Sequence, residues 1–288
     1  MGPFDYKKML TVIIVTYHSS KIIERLLRAI EEDIEILVIE NSQSQKLKLD
    51  LEKKYKNVRV IIPSENLGNG GGINLGFKNA RTRYSLYLDV DTIPQKNMIK
   101  VLIEKTSEIK NFSILAPKVK DHHYAKELYV AKDDTKNFHK MNFITGCALL
   151  FDMISLKKVG YFDENIFLYY EEHDLYFRCL KHGLNIYLID EAEIIHEGSA
   201  GINKEHSDEI RYNRNWHYCW SKFYFYKKHY NYFYAFIKTF PNLIRALKYY
   251  IYFKFKKDNY NILLHKAELS GLFNAYMLKK SNYRPNIN

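Results

Sequence analysis

The sequence predicts an α/β protein built on a doubly wound, mostly parallel sheet, followed by a helical C-terminal region. Continuous apolar, β-branched runs recur through the first part of the chain, and such runs are typical of strands buried on both faces of a sheet. A segment with helical periodicity follows each run. Strand and helix in alternation indicate a parallel sheet with helices on its faces, which binds ligands at the carboxyl ends of its strands.

The predicted elements follow one another closely up to residue 117. The predicted strands cover residues 10–16, 34–39, 58–62, 84–88 and 113–116. The predicted helices between them cover residues 21–31, 45–55, 73–81 and 95–109, several after a Ser or Asn cap. Beyond residue 117 the pattern is looser, with helices predicted near 154–159 and 171–182 and strands near 185–189 and 193–196.

Composition places the chain among globular proteins. Its 288 residues are 47% hydrophobic and 27% charged, which excludes disordered, collagenous and coiled-coil proteins. Three cysteines stand far apart, which disfavours a disulfide scaffold and a structural zinc site and favours a reducing cytoplasm. No run approaches the roughly 18 apolar residues of a membrane-spanning helix, and the first residues lack the apolar core of a secretion signal. We therefore expect a cytoplasmic protein.

The positive charge is concentrated near the C-terminus. Of the formal net charge of +11, residues 205–288 carry +10, and they also contain 13 of the 25 tyrosines and both tryptophans. We therefore predict a domain at residues 1–204 and a basic, aromatic, helical region at residues 205–288. Such a region suits anionic lipid, nucleic acid or an acidic partner, and charge alone does not separate these.

Two acidic residues directly follow the predicted strand 84–88. Asp89 and Asp91 are one residue apart at a strand's carboxyl end, where their carboxylates suit a hard divalent cation such as Mg²⁺ or Mn²⁺ shared with phosphates. A strand-end turn capped by aspartate is the structural alternative. His196 closes another predicted strand, and either ligates a metal or serves as a polar strand end.

Two further segments have unusual compositions. The glycine-rich segment 66–76 fits neither the P-loop nor the GxGxxG pattern, so it predicts either a tight turn into a ligand-binding helix start or a merely flexible turn. Glu171, Glu172 and Asp174 open the helix predicted at 171–182. The helix dipole accounts for one or two of these acids, and a cluster of like charges raises carboxylate pKa values, which suits a general base.

Taken in order, these segments resemble the family 2 glycosyltransferases of the GT-A fold, in particular the rhamnosyl- and galactofuranosyltransferases of bacterial surface polysaccharides. The matching motifs end at His196 and extend over about two thirds of the chain, at residues 12–17, 66–76, 88–92, 146–150, 159–164 and 167–175. Two departures concern single positions: the chain has His18 where the family commonly has Asn, and Glu40 where Asp is common.

The resemblance implies a role for each candidate residue. The nucleotide sugar would contact residues after three strands and in the glycine-rich segment, namely Thr16, Tyr17, Glu40, Asn66, Gly68 and Asp89. Asp89, Asp91 and His196 would hold the divalent cation. The family's acidic motif is usually Glu-Asp-x-Asp with its second member as the base, so Glu172 is the implied base, and Glu171 and Asp174 remain alternatives.

The implied reaction is inverting transfer of a sugar, with rhamnose favoured, from a nucleoside-diphosphate sugar to a hydroxyl of a growing surface glycan or a lipid-linked acceptor. Transfer of galactofuranose or another hexose is the first alternative. A nucleotidyltransferase would not need the acidic helix start at residue 171. A non-catalytic nucleic-acid-binding protein leaves the ordered acidic motifs unexplained, so we expect no nucleic acid partner.

Part of the C-terminal region has the spacing of an amphipathic helix. Leu243, Leu247, Tyr250 and Ile251 recur at helical spacing, and basic residues fall on other faces. We therefore predict peripheral binding to an anionic membrane surface, at the inner face of the cell membrane. Packing of these residues against the catalytic domain, or into a homo-oligomer, is the alternative.

Overall fold

The computed structural model describes residues 6–30, 33–120, 127–131, 137–198 and 207–285. The chain forms two compact units. The first comprises Met1–Leu67, Gly71–Phe162 and Leu175–Gly201, and the second comprises Gly68–Gly70, Asp163–Asp174 and Ile202–Asn288. Two short segments from the first two thirds of the chain thus cluster with the C-terminal helices. The boundary predicted near residue 204 lies outside the described residues.

The first unit is a β-sheet with helices packed against it, and the predicted α/β fold class is confirmed. A short 3₁₀ helix, Tyr6–Met9, precedes the sheet. The strands are β1 (Leu10–Thr16), β2 (Glu35–Glu40), β3 (Val58–Ile61), β4 (Tyr84–Asp89), β5 (Thr92–Pro94), β6 (Phe112–Val119), β7 (Glu127–Ala131), β8 (Phe138–Ile144), β9 (Ala148–Asp152) and β10 (Asn185–His196). The helices are α1 (Ile23–Ala29), α2 (Gln45–Lys54), α3 (Gly68–Asn79), α4 (Met98–Glu108), α5 (Met153–Val159) and α6 (Glu171–Lys181), of which α3 and α6 also contribute residues to the second unit.

The described strands form one sheet in the order β3-β2-β1-β4-β9-β6-β10-β8-β7, with β5 paired to β10. Strands β3, β2, β1 and β4 are mutually parallel, as β6 and β10 are, whereas β9 lies antiparallel between β4 and β6. The central strands are apolar and fully buried, as in Leu10 to Ile14 of β1. Burial on both faces explains why the sequence pattern located them.

Four strands were not predicted from the sequence. β5 has only three residues and includes Pro94, β8 and β9 pair antiparallel with partners distant in the chain, and β7 pairs only with β8. The local sequence pattern of a short strand does not show which other strand it pairs with. The strands predicted separately at 185–189 and 193–196 are one strand, β10, with irregular register against β6 between Ile189 and Glu193.

The glycine-rich segment is helical, and the predicted helix start at Ile73 was wrong. Helix α3 begins at Gly68. A Cβ on Gly76 would lie 2.5 Å from Ile13 Cγ2, and one on Gly72 would lie 2.9 Å from Val15 Cγ1. The glycines therefore allow α3 to pack directly against β1, and a helix propensity scale does not predict this because tertiary packing overrides it.

The second unit contains three long helices, α7 (Ser207–His229), α8 (Tyr232–Lys256) and α9 (Asn259–Tyr276). Their shared core consists of aromatic residues and alanines: Trp216, Trp220, Phe223, Ala235, Ala267 and Ala275. Gly271 of α9 lies where a Cβ would be 2.3 Å from the Trp216 carbonyl oxygen, so α7 and α9 are in close contact. None of the helices in the described ranges is long and apolar enough to cross a membrane.

Helix α8 exposes a continuous apolar stripe. Its buried residues, Ala235, Thr239 and Ala246, share one side of the helix. On the opposite side, seven large apolar side chains at three- and four-residue spacing are 42–85% exposed: Phe233, Ile237, Phe240, Ile244, Leu247, Ile251 and Phe255. We call this set the α8 stripe. Of the predicted apolar face, Leu247 and Ile251 belong to it, whereas Leu243 and Tyr250 are half-buried because they lie nearer the packed side.

The glycine contact predicts the effect of one added methyl group. We expect Gly76→Ala to lower the free energy of unfolding by about 1–3 kcal/mol, because overpacking against Ile13 outweighs the gain in helix propensity. Urea unfolding measures this change. Lys78→Ala, at an exposed position of the same helix, is the control, with an expected change within about 0.5 kcal/mol. An unchanged stability of Gly76→Ala would contradict the packing role.

Candidate active site

Polar side chains end three neighbouring parallel strands of the first unit. Thr16 ends β1, Glu40 ends β2 and Asp89 ends β4. Thr16 and Glu40 are directly paired in the register of β1 and β2. Because β1 lies between β2 and β4, the three residues share one edge of the sheet. This is the edge at which a doubly wound sheet binds its ligands.

Two acceptor atoms at this edge have no hydrogen-bond partner among the described residues. Thr16 Oγ1 and Glu40 Oε2 are buried, whereas Glu40 Oε1 accepts from the Ser42 N–H at 2.8 Å. Burial raises the pKa of Glu40, and its hydrogen bonds from Ser42 oppose that rise. A buried polar group without a partner costs about 1–3 kcal/mol, so a bound ligand that hydrogen-bonds here would recover that energy.

Asn41 connects the end of β1 with the segment before α3, and it was not among the site residues predicted from the sequence. It is 3% exposed, its N–H donates to the Thr16 carbonyl at 2.9 Å, and its Oδ1 accepts from the Leu67 N–H at 3.4 Å. It thereby fixes the end of β1 relative to the segment that contains Asn66, which is half-buried. Its position directly after Glu40, at the end of β2, is the sequence signal that could have identified Asn41 as a site residue.

The backbone after β1 turns sharply. His18 has a φ of 50°, in the left-handed region. Its ring lies edge-on to the Tyr17 ring, with centroids 4.5 Å apart, and Ser19 Oγ donates to the Tyr17 carbonyl at 2.9 Å. A non-glycine residue in this conformation stores strain, and such strain is concentrated at functional sites.

Asp89, Asp91 and His196 form a cluster able to hold a metal ion. One ligand atom from each lies within 4.8 Å of the other two, and His196 Nε2 is 3.4 Å from Asp91 Oδ1. The pKa of His196 is raised, chiefly by its hydrogen bond to Asp91, and burial opposes that rise. Two carboxylates and an imidazole suit Mg²⁺ or Mn²⁺, so these residues fit the predicted divalent cation.

The pairing of β5 with β10 brings His196 to the two aspartates. Thr92 is the register partner of His196, and the Glu197 N–H donates to the Asp91 carbonyl at 3.1 Å. Asp89 is held separately: its N–H donates to the Cys147 carbonyl at 2.8 Å and its carboxylate accepts from the Tyr87 hydroxyl. The supporting role of Thr92 was not predicted because β5 was not, and that of Tyr87 was not predicted because it depends on a side-chain contact within β4.

In the second unit, the last acid of the predicted motif is buried in an ion-pair network. Asp174 is 0% exposed, and its Oδ1 lies 2.6 Å from Lys228 Nζ and 2.8 Å from His229 Nε2. Lys228 also binds Asp163 Oδ2 at 2.7 Å, and Tyr224 donates to the same oxygen at 3.0 Å. Asp174 therefore anchors the acidic segment to the end of α7.

The other two acids differ from each other in their surroundings. Glu171 is 2% exposed, and its Oε1 accepts from Asn69 Nδ2 at 3.1 Å. Glu172 is half-buried and forms no hydrogen bond or ion pair with another described side chain. Burial raises the pKa of the Glu172 carboxyl.

The turn directly before these acids has a strained backbone. Tyr169 and Tyr170, directly before α6, have φ values of 62° and 68° in the left-handed region. Gly68, also at positive φ, lies against this segment, since a Cβ there would be 2.1 Å from the Phe167 carbonyl oxygen. The residue predicted to contact the nucleotide thus also has a packing role. Two adjacent tyrosines in this conformation mark a turn that the surrounding contacts hold in place.

Several comparisons with known proteins agree with this architecture. The family model described as glycosyl transferase family 2 matches residues 11–160. An uncharacterized glycosyltransferase of Rickettsia typhi is 25% identical over 192 residues, which cover 61% of this chain and 60% of that protein. The low-salt glycan biosynthesis hexosyltransferase Agl10 of Haloferax volcanii is 23% identical over 210 residues, covering 65% and 66%.

Solved structures share the fold at low sequence identity. The mannosyltransferase PcManGT of Pyrobaculum calidifontis, in complex with GDP-Man and Mn²⁺, has a TM-score of 0.58 at 12% identity and covers 94% of this chain and 88% of its own. GalNAc-T7 with UDP, GalNAc and Mn²⁺ has a TM-score of 0.59 at 16% identity, covering 77% and 50%. At these low identities, the similarity to the two solved structures shows a shared fold alone.

The sheet with its packed helices has the GT-A fold. The chain belongs to glycosyl transferase family 2, and the predicted family is confirmed. Family membership disfavours the two more distant alternatives, a nucleotidyltransferase and a non-catalytic nucleic-acid-binding protein.

The cluster predicts how Mn²⁺ binding depends on Asp91. We expect Asp91→Asn to weaken Mn²⁺ binding by at least about tenfold, because it removes one ligand charge from the cluster. Titration calorimetry measures the affinity, and thermal unfolding checks that the fold is retained. Asp190→Asn is a matched control, since Asp190 lies 2.7 Å from His139 in another Asp–His pair of the same unit. Equal affinity of the wild type and Asp91→Asn would contradict the assignment.

Proposed function

We propose that the chain is a metal-dependent, inverting glycosyltransferase that moves a sugar from a nucleoside-diphosphate sugar to a hydroxyl group of an acceptor. The observation that carries this proposal is the Asp89–Asp91–His196 cluster at the carboxyl end of β4 in a family 2 chain. These three residues would hold Mg²⁺ or Mn²⁺, which supplies positive charge for a departing diphosphate.

The residues at the sheet edge bind the nucleotide in this proposal. Thr16 Oγ1 and Glu40 Oε2 are buried acceptors without a partner in the described part of the chain, so they suit the hydroxyl and N–H donors of a nucleoside. Asn41 keeps the two strand ends in register. Tyr17, Asn66 and Gly68 complete the proposed contacts, on the strength of the sequence resemblance.

We assign the general base to Glu172. Asp174 is ion-paired with Lys228 and hydrogen-bonded to His229, and Glu171 accepts a hydrogen bond from Asn69. Glu172 alone of the three forms no hydrogen bond or ion pair with another described side chain, and its pKa, raised by burial, makes it a stronger proton acceptor than an ordinary glutamate. Its carboxylate would take the proton from the acceptor hydroxyl as that oxygen attacks the anomeric carbon.

The order of the motifs favours rhamnose as the transferred sugar, with galactofuranose or another hexose as the alternative. In this proposal the acceptor is a growing surface glycan, as in lipopolysaccharide or capsule, or a lipid-linked glycan. Incubation with Mn²⁺ and a panel of dTDP-, UDP- and GDP-sugars tests the donor, with release of nucleoside diphosphate as the readout. Release from dTDP-rhamnose above all others supports rhamnose. No release from any donor contradicts the proposed function.

The α8 stripe supports peripheral membrane binding at the inner face of the cell membrane. Four lysines, Lys238, Lys248, Lys254 and Lys256, accompany the stripe, and α8 contains no acidic residue. Each lysine near an anionic surface contributes about 1 kcal/mol, and exposed apolar side chains bury themselves in the headgroup region. Pairing of α8 with a second copy of itself would bring like charges together, which disfavours a homo-oligomer through this face.

The assignment of Glu172 predicts a specific kinetic defect. We expect Glu172→Gln to lower kcat by about 100- to 10,000-fold with little change in donor affinity, because the amide keeps the shape but accepts no proton. In the wild type, kcat/KM should fall as the pH falls through the raised pKa of Glu172, since the protonated carboxyl is inactive. This acidic limb should vanish from the residual activity of the variant.

Glu171→Gln is the matched control for this experiment. The glutamine keeps an oxygen for the hydrogen bond from Asn69, so we expect a loss of less than about tenfold. If Glu171→Gln instead shows the larger loss in kcat, Glu171 is the base and the assignment is shifted by one residue.

The α8 stripe predicts lipid- and salt-dependent sedimentation. We expect the full chain to cosediment with vesicles increasingly as their anionic lipid content rises, and decreasingly as salt is added. The double variant Ile244→Gln/Leu247→Gln should lose most of this binding, because both side chains are about half exposed within the stripe.

Leu49→Gln is the control, since Leu49 is 68% exposed on α2 of the other unit. It should sediment as the wild type does. Binding that ignores lipid charge and salt, or that survives the double variant, would contradict the membrane assignment. Concentration-dependent sedimentation without vesicles, lost in the double variant, would instead indicate self-association through the stripe.

A further inference from the structure

The second unit contains a cavity of about 270 Å³ that the proposed reaction does not use. Residues of α7, of the end of α9, of the segment 278–284 that follows it and of the loop at 164–165 surround it. The lining residues that matter here are Trp220, Tyr224, Lys227, Lys279, Lys280 and Arg284. All belong to the second unit, and we refer to this space as the basic cavity.

The cavity is strongly cationic. Its lining includes four basic side chains and one acidic side chain, Glu164. Lys227, Lys279 and Lys280 form no ion pair within the described part of the chain, whereas nearby Lys228 is bound by two aspartates. A concave surface on which charge of one sign predominates concentrates counter-ions. The cavity therefore favours an anionic ligand.

The walls of the cavity are held rigid by contacts of their own. The rings of Trp220 and Tyr224 stack with centroids 5.0 Å apart, and Trp220 Nε1 donates to the Lys279 carbonyl at 3.0 Å. The Arg284 guanidinium lies 3.9 Å above the Phe167 ring and donates to the Ser281 and Tyr283 carbonyls. The lysines thus belong to a cavity wall that is ordered before a ligand binds, which lowers the entropic cost of binding.

A hydrogen-bond network within the unit connects the cavity wall with the acidic segment. Tyr224 lines the cavity and donates to Asp163, and Lys228 joins Asp163 to Asp174. Asp174 lies two residues after Glu172 in the first turn of α6. A ligand that contacts Tyr224 therefore touches the network that holds Asp174 in the first turn of α6, two residues after the proposed base.

We propose that the basic cavity binds the phosphate-bearing part of the acceptor substrate. Lysine ammonium groups donate charge-assisted hydrogen bonds to phosphate, and Trp220, Phe223 and exposed Leu278 offer apolar surface beside them. Two sources supply this chemistry, a lipid-linked diphosphate and a phosphorylated sugar. That the bound molecule is the acceptor rests on the proposed function, whereas the binding of phosphate to the cavity can be measured without turnover.

The experiment titrates the full chain with farnesyl diphosphate, glucose 1-phosphate and inorganic pyrophosphate, with farnesol as an uncharged probe. Buffers contain EDTA, so that binding through a divalent cation is suppressed. Tryptophan fluorescence reports binding, because Trp220 lines the cavity and the only other tryptophan, Trp216, is stacked beside it. We expect the phosphorylated probes to quench or shift the fluorescence and farnesol to do neither.

The lysines give matched variants. We expect Lys227→Ala/Lys280→Ala to weaken phosphate binding by at least about tenfold, since each lysine contributes a charge-assisted hydrogen bond. Lys266→Ala removes an exposed lysine of α9 outside the cavity and should bind as the wild type does. Tighter binding of farnesyl diphosphate than of the other probes supports the lipid-linked source, and tighter binding of glucose 1-phosphate supports the carbohydrate source.

Two results would overturn the proposal: no binding of any phosphorylated probe, or binding that the double variant leaves unchanged. The donor assay described above keeps the two proposals separate. A chain that releases no nucleoside diphosphate but binds phosphate through Lys227 and Lys280 refutes the proposed function alone. A chain that hydrolyses its donor normally but shows no lysine-dependent phosphate binding refutes the cavity alone.

Discussion

The fully buried carboxylate of Asp174 is the constraint on which the second unit depends. Removing one partner of a buried ion pair typically costs about 3–5 kcal/mol, because the remaining charge is left without compensation. Lys228 provides that compensation from the last turn of α7, where the helix dipole also favours cations, and His229 Nε2 is hydrogen-bonded to the same carboxylate oxygen. Since Asp174 lies in the first turn of α6, its pairing also fixes the direction in which α6 begins and hence the position of Glu172.

The first unit is organised by a different constraint, the parallel direction of β1, β2 and β4. Parallel strands end at the same edge, so the polar residues that follow them are brought together without further contacts. Glycines of α3 allow that helix to approach β1 closely behind the edge. Thr16 Oγ1 and Glu40 Oε2 are buried without a hydrogen-bond partner among the described residues. Such atoms raise the free energy of the folded unit, and they are expected where a ligand binds.

The sequence predicted the parts of the fold that local pattern determines. Apolar β-branched runs located β1 to β4, β6 and β10, and the acids after β4 and at the start of α6 were recognised by position. The sequence did not reveal β5 or β9, since their pairing partners lie far along the chain, nor the roles of Asn41 and Lys228, which depend on tertiary contacts. For the same reason it did not rank Glu171, Glu172 and Asp174, which differ only in their neighbours.

The pairing of β5 with β10 has a consequence for folding. Asp91 and His196 are about 100 residues apart in the chain, and β9 and β6 lie between β4 and β10 in the sheet, so their cluster depends on contacts of long sequence separation. Contacts of such long sequence separation form late, because loop-closure entropy opposes them until intervening structure is present. A cation held by these side chains would bind the folded chain in preference to the unfolded one, and would thereby stabilise the pairing of β5 with β10.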